Sequence, residues 1–132
     1  MALNPQYEAI GKAFTQQYYA LFDDAAQRPQ LVALYNAEQS LMTFEGQQMQ
    51  GSAKIMEKIS SLTFQKIAHL ITAVDCQPTF DGGILVNVLG QLKTDDDPAL
   101  SFSQTFVLKN LGQSWFIQHD LFRLGIHNLA TA

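Results

Sequence analysis

Glu45, Asp120 and His69 have the chemistry for acid–base work, with Tyr18 and Tyr19 as candidate hydroxyl donors. A carboxylate or imidazole enclosed by apolar surface has a shifted pKa and becomes a candidate general acid or base. The plainer role for each is a rim charge or a hydrogen-bonded core group. A second set of carboxylates suggests recognition instead. Glu45 follows Phe44 at the end of a short apolar run. The segment KTDDDPAL, residues 93–100, sets Asp95, Asp96 and Asp97 side by side before Pro98. Alone, such a run reads as a solvated turn. If both segments edge one pocket, its rim is acidic and its floor apolar. A peptide that offers a large apolar side chain flanked by Lys or Arg suits such a site. Burying one Phe supplies roughly 1.5–3 kcal/mol, and the rim charges set approach rate and specificity.

Other chemistries find little support. His69, His119 and His127 lack metal-ligand spacing and have no cysteine neighbours. Gly82-Gly83 sits between two strand-like runs, not between a strand and a helix, so it does not read as a phosphate loop. Cys76 has nothing adjacent to lower its pKa, and as the single cysteine it allows no internal disulfide. Eight Lys and Arg against twelve Asp and Glu give a net charge of −4. With no basic patch, a nucleic-acid binder is not expected, and a basic protein partner is favoured. The N-terminal MALNPQYEAIGKAF shows no secretory pattern, and no apolar run approaches membrane-spanning length. A soluble intracellular protein without metal or cofactor is expected.

The elements that must hold these residues follow from periodicity. Asn4-Pro5 reads as a helix start. Tyr7, Ile10, Phe14, Tyr18, Leu21 and Phe22 then recur at helical spacing as far as Asp23-Asp24. Arg28-Pro29 begins a short second helix through Leu31, Leu34 and Tyr35. Residues 41–44 form a short strand broken by Glu45-Gly46, and residues 51–62 a third helix with Ile55, Met56 and Ile59 on one face. From Ile67 the period becomes two. Strands are expected from Ile67 to Pro78, over 84–92, over 101–108 and over 114–124, with Asp81-Gly82-Gly83, KTDDDP and Asn110-Leu111-Gly112-Gln113 as the turns.

Helices followed by long strands make a single α+β domain over the 132 residues, with the helices on one face of an antiparallel sheet. A cone of helices over a curved sheet encloses a deep apolar pocket. The other sheet face is also apolar. Val86 and Val88 alternate with Leu85 and Leu89, and Phe116 and Phe122 alternate with Trp115, Ile117 and Leu121. A sheet apolar on both faces must be covered twice, so a two-fold homodimer packed through the sheets is expected.

Several long segments resemble the nuclear transport factor 2 family: IGKAFTQQYYALFDD (10–24), TFEGQQMQG (43–51), SSLTFQKIAHLITAVDCQPT (60–79), GQLKTDDDP (90–98) and HDLFRLGIHN (119–128). The resemblance covers nearly the whole chain in order. It implies a cystatin-like α+β cone with a strongly bent sheet, dimeric and non-enzymatic. It also implies a carrier that binds the GDP form of the GTPase Ran and phenylalanine-rich nucleoporin repeats. Such a carrier works in cytoplasm and nucleus, concentrated at the nuclear pore. The family's Trp-Glu-Gly motif reads Phe44-Glu45-Gly46 here, which keeps an apolar wall but loses area and an indole N–H. By resemblance, Glu45, Asp95 and Asp97 form an acidic rim for basic residues of Ran. Phe44, Leu62, Ile67, Leu100, Leu121 and Phe122 line a pocket for a Ran phenylalanine, with His69 nearby. Tyr7 stands where the family uses an aromatic, often Trp, against nucleoporin repeats. The alternative is an enzyme of the same cone fold, similar to ketosteroid isomerase or scytalone dehydratase, with a buried general base.

Overall fold

A computed structural model of the chain describes residues 3–126. Helix α1 spans Tyr7–Asp23, a 3-10 helix spans Arg28–Leu34, and α2 spans Ser52–Ser60. Six strands, β1 (Leu41–Phe44), β2 (Gln47–Gln50), β3 (Ile67–Pro78), β4 (Ile84–Thr94), β5 (Leu100–Leu111) and β6 (Ser114–Leu124), form one sheet in the order β2-β1-β6-β5-β4-β3.

Helix α1 begins two residues later than Asn4-Pro5 suggests. Asn4 Oδ1 accepts from the Gln6 N–H at 2.8 Å, so Asn4 and Pro5 make a turn ahead of the helix. Its buried stripe is Gly11, Phe14, Thr15, Tyr18, Tyr19 and Phe22, the helical spacing read in the sequence. Phe14 and Tyr18 pack edge-on against Phe106 of β5, at 5.2 and 4.9 Å between ring centroids. Gly11 lets the helix approach β3 closely, since a Cβ there would lie 2.5 Å from Cys76 Sγ. No helix among the described residues is long and apolar enough to cross a membrane.

Two features of the sheet differ from the sequence reading. Strand β2 went unrecognised because QQMQ is polar with a weak strand signal. It pairs as a hairpin with β1, and β1 in turn lies parallel to β6, so the sheet is not wholly antiparallel. The second difference is a bulge. Val107 pairs with His119 but Leu108 pairs with Ile117, which leaves Gln118 as an extra residue in β6. Strict alternation put Ile117 and Leu121 on one face and Phe116 and Phe122 on the other. With the bulge, Ile117, Asp120 and Phe122 all point into the core, while Leu121 turns outward and is 52% exposed.

The outward face of the sheet is mixed rather than wholly apolar, with Asn87, Gln91, Thr105 and Arg123 set among its leucines. Leu41, Leu70, Leu89 and Leu121 are all exposed on it.

Gly51 joins β2 to α2 with φ 89° and ψ 150°, a region that essentially only glycine occupies, and a Cβ there would meet the Ala37 carbonyl oxygen at 2.6 Å. Gly51→Ala is expected to destabilise the fold by about 1–3 kcal/mol. Urea unfolding measures this, and an unchanged midpoint would contradict the strained backbone at that position.

Candidate functional site

The strand register gathers one end of the sheet into a site. Phe44 at the end of β1 pairs with Phe122, Phe102 pairs with Leu124, Leu92 pairs with Leu100, and Ile67 pairs with Thr94. The turn after β1 and the turn after β4 therefore stand at the same end. Between that end and the helices lies a cavity of about 230 Å³. Phe44, Leu62, Ile67, Leu100, Phe122 and His69 all line it. Leu121 does not: the Gln118 bulge turns it to the outer face, beside Leu41 and His119. Tyr18, a candidate hydroxyl donor by sequence, also lines it, whereas sequence reading missed Phe22, Met42 and Gln104. The inward helical stripe carried a signal for Phe22.

One side of the cavity carries aromatic rings. Phe44 stacks on Phe122 at 4.7 Å and 13°, and Phe122 stacks on Phe102 at 5.8 Å and 24°. His69 meets Phe102 edge-on at 5.3 Å, and its Nδ1 binds Asp23 Oδ1 at 2.5 Å. The His69 backbone N–H also donates to Asp23 Oδ2 at 2.9 Å, so the end of α1 is tied to β3 twice.

The rim carboxylates are held by backbone donors. Glu45 is half-buried with φ 50°, and its Oε1 accepts from the Leu124 N–H. Asp95, also at φ 50°, accepts through Oδ1 from the N–H groups of Gln65 and Lys66, each at 2.9 Å. This pins the β4–β5 turn to the segment before β3. Asp97 is exposed, and Lys93 Nζ donates to the carbonyls of Asp95 and Asp97 at 3.0 and 3.1 Å. The acidic triplet is thus an organised turn with a lysine folded under it.

Asp120 is completely buried but is not part of the cavity lining. Its Oδ1 accepts from Gln104 Nε2 at 2.8 Å and its Oδ2 from the Tyr35 hydroxyl at 2.7 Å. The Tyr18 and Tyr35 hydroxyls are 3.1 Å apart, and Tyr19 donates to Gln104 Oε1 at 2.6 Å. Burial pushes Asp120 up to about 6, and the two hydrogen bonds oppose that rise. Burial, reinforced by the Asp120 charge, pushes all three tyrosines well above their usual range. Of the five acid–base candidates, Tyr18 and His69 line the cavity, while Tyr19 and Asp120 reach it only through Gln104 and Tyr18. Tyr7 opens α1, half-buried and packed against the core. Among the described residues no three His, Cys, Asp or Glu side chains are grouped to hold a metal ion, and His127 lies outside those residues.

The nuclear transport factor 2 (NTF2) domain matches residues 10–124. The chain belongs to the nuclear transport factor 2 family. It is 52% identical to the probable nuclear transport factor 2 of Caenorhabditis elegans over 132 residues, covering 97% of this chain and 99% of the relative. Nuclear transport factor 2 of Oryza sativa subsp. japonica is 47% identical, over 89% of this chain and 95% of the relative. The structure of nuclear transport factor 2 from Cryptosporidium parvum superimposes with a TM-score of 0.89 at 45% identity, covering 95% of this chain and 99% of that one. The α+β cone is therefore that of nuclear transport factor 2, with its helices over a bent sheet.

Asp120 binds its proton more tightly in the folded chain than in the unfolded one, where its ordinary value is 3.8. Its contribution to stability is thus greatest below about pH 4 and is lost as the pH rises towards about 6. Asp120→Asn carries no such proton. Urea unfolding of both proteins from pH 4 to pH 7 is expected to show their stability difference moving in the variant's favour by about 1–3 kcal/mol. A pH-independent difference would count against the raised value.

Proposed function

We propose that the chain is a non-enzymatic carrier in nuclear transport, a single domain that binds the GDP form of Ran and brings it into the nucleus. A large apolar side chain of Ran enters the cavity, and Glu45, Asp95 and Asp97 face basic residues around it. The observation that carries this reading is the shared sheet end, where an apolar, aromatic-walled cavity lies beside two turns that both bear carboxylates. Apolar burial then supplies most of the affinity and the rim charges the selectivity. The named relatives support the transport role.

In the same reading Tyr7 offers an aromatic face to phenylalanine-rich nucleoporin repeats, and the protein works in cytoplasm and nucleus, concentrated at the pore. A second copy covers the outer sheet face. Leu70 and Leu121, 64% and 52% exposed, are the kind of surface a two-fold partner buries. In this reading Leu121 belongs to the surface a second copy covers and not to the pocket.

Calorimetric titration with Ran loaded with GDP, and then with a GTP analogue, at two salt concentrations tests the carrier reading. Binding to the GDP form alone, weaker at high salt, is expected, and binding to neither form would end it. Glu45→Gln keeps an acceptor for the Leu124 N–H and removes only the charge. Together with Asp97→Asn it is expected to weaken that binding about tenfold, the equivalent of about 1.4 kcal/mol.

Leu121→Glu sets a charge on the outer face. Sedimentation at micromolar concentration is expected to find a dimer for the natural sequence and a folded monomer for the variant. A dimeric Leu121→Glu protein would place the dimer contact elsewhere.

A further inference from the structure

Three carboxylates in one short turn repel one another, so the turn needs ties that hold it closed. Asp95 is tied firmly. Its N–H donates to the Lys66 carbonyl at 3.0 Å, and its Oδ1 accepts from the N–H groups of Gln65 and Lys66. Asp97 is tied far less. Its N–H donates to the Thr94 carbonyl at 3.0 Å, and Pro98 after it has no N–H to offer. Its exposed carboxylate makes no hydrogen bond or ion pair among the described residues. One side chain completes the hold on this limb. Lys93, next to last in β4, reaches under the turn, and its Nζ donates to the carbonyls of both Asp95 and Asp97, at 3.0 and 3.1 Å. Lys93 thus joins the pinned limb to the loose one.

We propose that Lys93 is a positioning residue for the acidic rim, holding the Asp97 limb so that the Asp97 carboxylate stands ready for a basic side chain of the partner. Resting on the carrier reading, this gives the rim a working member of the opposite charge.

Charge and geometry here act with opposite signs. As a charge alone, Lys93 weakens the rim, because a cation among the carboxylates repels the partner's cation. Its loss would then tighten binding about twofold, in the range of an exposed charge pair. As a positioning group, Lys93 strengthens the rim. Without it the turn must be ordered as the partner arrives, which costs about fivefold in affinity. Geometry is expected to win. The two hydrogen bonds from the ammonium group are charge-assisted and bridge two residues, whereas a single exposed charge is screened by salt.

A neighbouring lysine separates the two effects. Lys66 is also exposed and lies in the same shallow pocket as Lys93 and Asp95. It holds Asp95 through its backbone only, and its side chain makes no hydrogen bond or ion pair among the described residues. Removing its ammonium group changes the charge near the rim and leaves the ties of the turn in place. Methionine at either position keeps an unbranched apolar stem.

The test compares Lys93→Met and Lys66→Met by calorimetric titration with Ran loaded with GDP, and by NMR relaxation of the backbone amides at 95–97 in the free protein. Lys93→Met is expected to bind about fivefold more weakly. Its order parameters at Asp96 and Asp97 should fall while the urea midpoint stays unchanged. Lys66→Met should bind no more weakly than the natural sequence and keep the turn ordered. In an Asp97→Asn background the loss caused by Lys93→Met should largely vanish, because Lys93 acts through that carboxylate. A loss of the same size there would overturn the proposal. So would a Lys93→Met protein that binds as tightly as the natural sequence or more tightly, or one whose turn stays equally ordered. A general loss of stability would overturn it as well, since Lys93 would then serve the fold and not the rim. If the natural sequence binds no Ran, the carrier reading falls by itself. A disordered turn in Lys93→Met would then keep the positioning role for another basic partner, and an ordered one would end it.

Discussion

A carboxylate taken wholly out of water must find donors for both its oxygens, and in this fold that requirement falls on Asp120. The donors come from separate parts of the chain. Tyr35 follows the 3-10 helix, Gln104 lies on β5, and Tyr18 and Tyr19 of α1 join through these two. Satisfying Asp120 therefore fixes how α1 and the 3-10 helix sit on the sheet. A helix docked at another height or rotation would break several hydrogen bonds at once in a low-dielectric interior. The space between that docked layer and the turn end of the sheet is the cavity. The network thus sets both the position of its deep wall and the chemistry that wall presents.

The Gln118 bulge makes this arrangement possible. Without it, Ile117 and Asp120 would face opposite sides of β6, and burial of one would expose the other. With it, both face inward, and Leu121 joins the outer face. One extra residue thereby separates two surfaces: an inner one that shapes a cavity and an outer one on which Leu121 is exposed.

The rim shows a second constraint. Glu45 and Asp95 both adopt positive φ, and both use side-chain oxygens to hold backbone N–H groups of neighbouring segments. Their charges are therefore fixed in place before any partner arrives. Preorganisation of this kind reduces the ordering a recognition site must supply on binding. The aromatic wall behind them is equally fixed by ring stacking, so apolar depth and charged rim keep a set geometry.

Much of the site was legible from local pattern. The helical stripe of α1, the short strand ending at Phe44 and the two carboxylate turns all follow from periodicity and turn chemistry, and homologous segments assigned their family. These are properties of neighbouring residues, which sequence spacing reports directly. The β2 hairpin, the parallel β1–β6 pairing and the inward face of Asp120 were not legible. Nor were the double roles of Glu45 and Asp95 or the outward turn of Leu121. Each depends on a partner far along the chain: Gln104 and Tyr35 for Asp120, Leu124 for Glu45, Gln65 and Lys66 for Asp95, the β5 register for Leu121. Apart from β2, the sequence by itself determined which segments are helix or strand and which helical stripe is apolar, because those follow from backbone period and side-chain solubility. Only the tertiary structure decided which face each residue shows near the bulge and where each buried polar group finds its donor, because both are settled by pairing between distant strands.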